Sequence, residues 1–65
     1  MEFRRRLQDL REKKRISRRV LSELCGLHPD AVRRYECGET EPTLHSLIAI
    51  SDFFEVTIDY LVGKE

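Results

Sequence analysis

Four arginines, arranged as two adjacent pairs, are the side chains in this sequence best suited to bind an anion. Arg18 and Arg19 form one pair, and Arg33 and Arg34 form the other. The guanidinium group presents its N–H donors in a planar fork that matches a phosphate group or the O6 and N7 acceptors of guanine. We therefore expect contacts with a nucleic acid. An ordinary solvated helix face is the alternative, and we prefer it for the Arg4–Arg6 run alone.

The segment that carries both pairs reads as a helix, a glycine turn, a basic helix and a second glycine stop. The hydroxyl of Ser17 can cap the first helix. Gly26 provides the left-handed backbone conformation that a sharp turn requires, and Gly38 ends the second helix. His28 is a possible cap before that helix. This layout predicts a helix-turn-helix over about residues 17–37.

Apolar spacing predicts which sides of these two helices are buried. We expect Val20, Leu21 and Leu24 to form the buried stripe of the first helix, which ends at residue 25. Val32 and Tyr35 are expected to form the buried side of the second helix.

Three more helices are expected around this motif. The first runs from about Glu2 to Lys14, because its apolar residues recur at helical spacing. A fourth follows Pro42 with Thr43 as its cap, and its apolar residues spread over more than one face, as in a helix that contacts two neighbours or a partner chain. A short fifth helix precedes Gly63. We therefore predict an all-α protein with five helices and no strand.

The net charge of zero conceals a division between the two parts of the chain. Of the twelve lysines and arginines only Lys64 follows Arg34, whereas seven of the twelve acidic residues do. Such an asymmetry favours approach to a polyanion with the basic part first.

Length and composition exclude several classes of protein. A chain of 65 residues makes one domain, here residues 1–65, and is too small to wall a large active-site cavity. It contains no apolar run near the roughly 20 residues that cross a bilayer, and no signal-peptide pattern. We therefore expect a cytoplasmic protein with no membrane partner, in which Cys25 and Cys37 are reduced thiols.

Cysteine and histidine are zinc-binding residue types, but their spacing here is not that of a zinc site. Neither C-x-x-C nor H-x-x-x-H occurs among Cys25, His28, Cys37 and His45. The histidines also lack a nucleophilic partner at a recognisable spacing, and the serines are explained as caps or small helix residues. We expect no metal, no cofactor, no small-molecule ligand and no catalytic residue, so the protein is not predicted to be an enzyme.

The pattern as a whole resembles the Cro/repressor type of helix-turn-helix, the XRE family of bacterial and phage transcription regulators. The residues that carry this resemblance are Leu7, Leu10, Arg11, Ser17, Leu21, Glu23, Gly26, Val32, Tyr35, Glu36, Gly38, Pro42, Leu44, Leu47, Val56, Asp59, Leu61 and Gly63. The resemblance implies a compact, lambda-repressor-like DNA-binding domain with a recognition helix at about residues 29–37. It also implies a regulator, expected to be a repressor, that binds a pseudo-palindromic operator in double-stranded DNA as a homodimer.

The resemblance assigns candidate DNA contacts residue by residue. Arg18 stands where the family usually has glutamine, and should bind phosphate more strongly and specify less. Arg34 is the expected base reader, while Pro29 could contact a thymine methyl and Asp30 could accept from cytosine N4. The simpler explanation of Pro29 and Asp30 is that they favour the start of a helix. The full candidate set is Ser17, Arg18, Arg19, His28, Pro29, Asp30, Arg33, Arg34 and Thr43.

Other positions have structural or electrostatic roles and are not expected to read bases. By the resemblance, Arg11 and Glu36 form an ion pair between the first helix and the end of the recognition helix. Glu39 and Glu41 replace basic residues that are common in the family. They would oppose phosphate within a Debye length of roughly 8–10 Å unless they point outward or pair with Arg33 or a partner chain. A further departure is residue 15, an arginine where the family often has glycine.

The dimer is expected to form through the last third of the chain. A small domain leaves apolar residues uncovered there, and we predict that Phe53, Ile58 and Leu61 lie in the interface. The competing hypothesis is a protein-interaction module of the same fold, acting through its acidic C-terminal half or through the apolar surface of Ile48, Phe53 and Ile58.

Overall fold

The computed structural model describes residues 2–65, and helices account for most of them. The five helices are α1 (Phe3–Lys13), α2 (Arg18–Leu24), α3 (Ala31–Cys37), α4 (Leu44–Phe54) and α5 (Ile58–Val62). No strand occurs in this part of the chain, so the predicted all-α, five-helix fold is confirmed. None of these helices has the length and apolar character needed to cross a membrane.

Hydroxyl side chains start three of the helices. Ser17 accepts a hydrogen bond from the backbone N–H of residue 20, and Thr43 does the same for the N–H of Ser46. Thr57 caps α5 in the same way. Each cap satisfies one of the backbone donors that a helix N-terminus leaves without an intrahelical partner. The predicted caps at Ser17 and Thr43 are therefore confirmed, and they fix where α2 and α4 begin.

Every helix contributes at least one side chain to a single buried core. Its fully or almost fully buried members are Phe3, Leu7, Leu21, Val32, Tyr35, Ile50 and Leu61. The rings of Phe3 and Tyr35 meet edge to face, with centroids 5.8 Å apart. This contact packs the inner side of α3 directly against α1.

The predicted buried stripe of α2 is wrong at two of its three positions. Leu21 is fully buried, but Val20 is 41% exposed and Leu24 is 58% exposed. The inward stripe instead continues through Ser22, which is fully buried, to the half-buried Cys25. A polar side chain can occupy this place because its hydroxyl is fully hydrogen-bonded inside the fold, as described below.

One of the predicted dimer residues lies inside the protein. Leu61 is fully buried in the core, so the prediction that it contributes to an interface is wrong. Helix α5 packs against both α1 and α4, and these neighbours enclose this side chain. Phe53 is half-buried against the core, with the ammonium group of Lys14 5.6 Å from its ring centroid. Ile58 is half-buried and is not among the side chains packed on the core of residues 2–65.

Candidate nucleic-acid interface

A buried serine joins the two helices of the predicted helix-turn-helix. The hydroxyl oxygen of Ser22 accepts a hydrogen bond from the N–H of Val32 at 3.0 Å and donates one to the carbonyl of Arg18 at 2.8 Å. Between them the chain reverses at Gly26, whose φ of +71° is the left-handed conformation that the sequence predicted. Sequence reasoning missed the role of Ser22; its place beside Leu21 on the inward stripe was the available signal.

Helix α3 begins two residues later than predicted. Pro29 and Asp30 form a turn, closed by a 2.9 Å hydrogen bond from the N–H of Ala31 to the carbonyl of His28. The Nδ1 atom of His28 accepts from the N–H of Asp30 at 3.0 Å. The Asp30 carboxylate makes no capping hydrogen bond, so it is available to the arginines of the following turn.

Most of the predicted DNA-binding residues share one surface. An open concavity of ≈ 490 Å³ between the start of α2 and the start of α3 is lined by Ser17, Arg18, Arg19, His28, Pro29, Asp30 and Arg33. Seven of the nine candidates therefore lie together. The remaining two, Arg34 and Thr43, are exposed but do not line this concavity. The Oγ1 atom of Thr43 both caps α4 and donates to the Ser46 hydroxyl.

The arginines of α2 are the least constrained cations of this surface. The Arg18 side chain is exposed and makes no hydrogen bond to any other residue of the described chain. Arg19 is exposed too, and its Nε atom lies 3.5 Å from a carboxylate oxygen of Glu23. An exposed pair of this kind is worth little. Both guanidinium groups can therefore turn toward an anion at small cost.

The arginines of α3 are held by carboxylates. Arg33 donates from Nε and Nη2 to the two oxygens of Asp30, at 2.6 and 2.8 Å. On its other side, Arg33 Nη1 lies 3.1 Å from Glu39. Arg34 donates from Nε to the same Asp30 carboxylate at 3.1 Å. Hydrogen bonding to Arg33, with a further contribution from Arg34, holds the pKa of Asp30 well below its usual range.

The ion pairs of Arg33 bear on whether the acidic residues of the loop after α3 would repel phosphate. Glu39 pairs with Arg33, and such a pair was expected to let an acid be tolerated near phosphate. The exposed Glu41 makes no ion pair with any residue of the chain from 2 to 65. The loop is therefore only partly neutralised.

The ion pair that the resemblance implied is present at the other end of α3. Arg11 donates from Nε to Glu36 at 2.7 Å and from Nη2 at 3.2 Å, and its Nη1 donates to the carbonyl of Ile16 at 2.9 Å. The two side chains are only 14% and 5% exposed. The hydrogen bonds to Glu36 raise the pKa of Arg11. This bidentate pair fixes the end of α3 against α1.

Two further contacts position α3. The hydroxyl of Tyr35 donates to the Ser46 hydroxyl at 2.7 Å, which links α3 to α4 in the buried interior. At Gly38, where φ is +78°, a β-carbon would overlap the guanidinium group of Arg4. The left-handed backbone therefore favours glycine as the helix stop here, whereas the overlap alone could be relieved by a movement of the flexible Arg4 side chain.

The thiols and histidines do not form a site. Cys25 and Cys37 are both free, and burial raises the pKa of the Cys25 thiol. Within residues 2–65, no three histidine, cysteine, aspartate or glutamate side chains are grouped so that they could hold a metal ion.

Comparison with known proteins identifies relatives along the whole chain. A family described as helix-turn-helix matches residues 7–61. An HTH-type transcriptional activator, BcrR of Enterococcus faecalis, is 40% identical over all of this chain and 32% of its own length. An HTH-type transcriptional regulator, AnsR of Bacillus subtilis, is 37% identical over 92% of this chain and 52% of its own. The chain thus spans between a third and about half of these relatives.

A solved structure shares the same arrangement of helices. The P22 c2 repressor protein, crystallised in complex with a synthetic operator, superposes with a TM-score of 0.87 at 28% identity. The match covers 97% of this chain and 96% of that one.

Proposed function

The chain belongs to the Cro/repressor-type helix-turn-helix family, and from this premise we propose that it is a sequence-specific, DNA-binding transcriptional regulator. The observation that carries the proposal is the concave surface between α2 and α3, which gathers seven predicted DNA-binding side chains, three of them arginines. It is supported by the P22 c2 repressor, which has the same fold and was solved with an operator.

The arginines in and beside this surface divide into two roles. Arg18 and Arg19, exposed at the start of α2, contact phosphates and orient the protein without specifying sequence. Arg34, on the helix that follows, reads a base edge in the major groove. Ser17, His28 and the remaining lining residues shape the contact around them.

The binding form is a homodimer on a pseudo-palindromic operator, and the effect on transcription is repression. A half-site spacing of about 34 Å, one turn of DNA, places two copies of α3 in successive major grooves. Ile48 is 45% exposed on α4 and Ile58 is partly exposed at the start of α5, and pairing of two copies through these side chains would cover them. Repression follows the P22 c2 neighbour, whereas the relative BcrR is named an activator.

Salt dependence of binding to a mixed-sequence duplex tests the DNA-binding proposal. Neutralised phosphates release counterions, so log K should fall steeply with log salt concentration. Arg18→Ala should flatten the slope by about one unit per lost phosphate contact. Lys64→Ala removes the same charge from the far end of the chain and should leave the slope unchanged. Absence of binding at low salt would contradict the proposal and favour the protein-interaction module, which would use its acidic C-terminal half or the apolar surface of Ile48, Phe53 and Ile58.

The variant Ile58→Asp tests the dimer separately. A carboxylate in the proposed interface should abolish binding to a full operator while circular dichroism shows the helices intact. If the variant is folded, monomeric by sedimentation and binds the operator as tightly as the parent, the interface is not where we place it.

A further inference from the structure

We infer that Asp30 is a specificity-determining positioning residue, which holds Arg34 ready for a guanine base, and that Arg33 secures Asp30 instead of contacting a phosphate. The inference rests on the proposed DNA-binding function. It assigns different roles to the adjacent Arg33 and Arg34.

Arg33 is held on two sides by carboxylates of its own chain. Its Nε and Nη2 atoms donate to Asp30, and its Nη1 and Nη2 atoms lie 3.1 and 3.4 Å from the two oxygens of Glu39. A phosphate that approached this guanidinium group would compete with two acids that carry the same sign of charge. Arg33 therefore fixes the orientation of the Asp30 carboxylate plane and ties it to the loop after α3.

Arg34 is held at one atom only. Its Nε atom donates to Asp30 Oδ2 at 3.1 Å, while Nη1 and Nη2 have no hydrogen-bond partner among residues 2–65. These two terminal nitrogens form the fork that meets guanine O6 and N7. A long side chain that is already held by its Nε loses less conformational entropy when it binds. Asp30 thus leaves free the half of the guanidinium group that reads the base.

The same arrangement weakens indiscriminate binding. Asp30, Glu39, Arg33 and Arg34 carry two negative and two positive charges, so the cluster is neutral beside a surface that faces phosphates. Removal of Asp30 should therefore change affinity and specificity in opposite directions. Non-specific binding should tighten because a repulsive charge is lost, and base preference should fall because Arg34 is no longer held. A simple loss of folded structure would lower both.

Duplexes are first selected from a random pool with four proteins: the parent, Asp30→Ala, Asp30→Asn and Glu39→Ala. The affinity of each protein is then measured for the best duplex and for a duplex in which the preferred G·C pair is replaced. The parent should discriminate about 5- to 160-fold at that pair. Asp30→Ala should lose most of this discrimination, whereas Asp30→Asn, which keeps an acceptor for Arg34 Nε, should retain part of it. Glu39→Ala is the matched control: it removes the same charge but touches Arg33 alone, so it should keep the full preference.

The outcomes separate this inference from the proposed function. If the parent binds DNA with a steep salt slope and selects the same guanine with or without Asp30, only the positioning role is overturned. Equal loss of preference in Asp30→Ala and Glu39→Ala would also overturn it, because charge rather than contact with Arg34 would then be responsible. If the parent binds no duplex at low salt, the proposed function itself fails.

Discussion

The hydroxyl of Ser22 lies 3.0 Å from the backbone nitrogen of Val32, ten residues further along the chain, and accepts its hydrogen bond inside the core. Val32 is in the first turn of α3, where N–H groups have no intrahelical acceptor. A side chain of α2 thus completes the start of α3. The angle between the two helices is fixed by a buried hydrogen bond as well as by packing.

Replacement of this serine should destabilise the protein more than its size suggests. Ser22→Ala leaves the Val32 N–H buried without a partner, a change that typically costs about 1–3 kcal/mol. Urea denaturation measures the loss. Ser51→Ala is a matched control, since Ser51 is also buried but its hydroxyl only donates to the carbonyl of Ile48 within its own helix. Equal costs for the two variants would contradict the capping role.

Separation of Arg11 from Glu36 should be costly, while replacement of both should not. Arg11→Ala strands a carboxylate that is 5% exposed, and we expect a loss of about 3 kcal/mol, the lower end of the range for fully buried pairs. The double variant Arg11→Met, Glu36→Met should recover much of this loss, because no buried charge remains. Arg19→Ala, which breaks an exposed pair, should cost less than about 1 kcal/mol. Additive losses in the double variant would argue against the coupling.

Replacement of one exposed arginine by glycine should stabilise the fold. Arg15 follows the end of α1 with φ of +55°, a conformation that costs a residue with a β-carbon roughly 1–2 kcal/mol. Arg15→Gly removes this strain, and after the entropy lost with glycine we expect a net gain of about 0.5–1 kcal/mol. Arg15→Ala keeps the β-carbon and should give no gain. A lower urea midpoint for the glycine variant, at unchanged m-value, would show that the arginine side chain contributes contacts of its own.

The carboxyl of Asp30 should titrate at unusually low pH. Its pairing with Arg33, and then with Arg34, depresses the pKa in the folded state, so the contribution of these pairs is fully present above the unfolded-state value near ~4 and is lost as pH falls through the folded-state pKa. The side-chain carboxyl ¹³C shift measures this midpoint. Arg33→Ala should move the midpoint upward, because that residue provides the largest effect. An ordinary midpoint in the parent would mean that the pairs do not persist in solution.

Local signals in the sequence predicted the helix boundaries of the protein well. Helix caps and stops depend on single residues with a strong hydrogen-bonding or conformational preference. Ser17, Thr43 and Gly38 therefore predicted helix boundaries that the structure shows. The Arg11–Glu36 pair joins residues 25 positions apart, and only the register of the family resemblance could bring them together.

The remaining features depend on tertiary contacts that spacing does not encode. Leu24 is apolar at a plausible core position but exposed, because the inward side of the short helix α2 is taken by Leu21 and Ser22. Leu61 is buried because two helices close over it. Sequence reasoning did not predict the hydrogen bonds from Arg33 and Arg34 to Asp30. It placed the start of α3 two residues too early. The Asp30 carboxylate was therefore explained as part of a helix start or as a base contact.

The central claim, that the concave surface between α2 and α3 binds duplex DNA, is tested most directly by an ¹⁵N–¹H NMR titration of the chain with a duplex selected from a random pool. We predict that the largest changes occur at the amides of Arg18, Arg19 and His28 and across residues 30–34, and that they diminish as salt is raised. The second concavity, lined by Asp9, Leu10, Glu12, Lys13 and Tyr60, should be unaffected. Changes centred on that second surface, or no changes at low salt, would contradict the account.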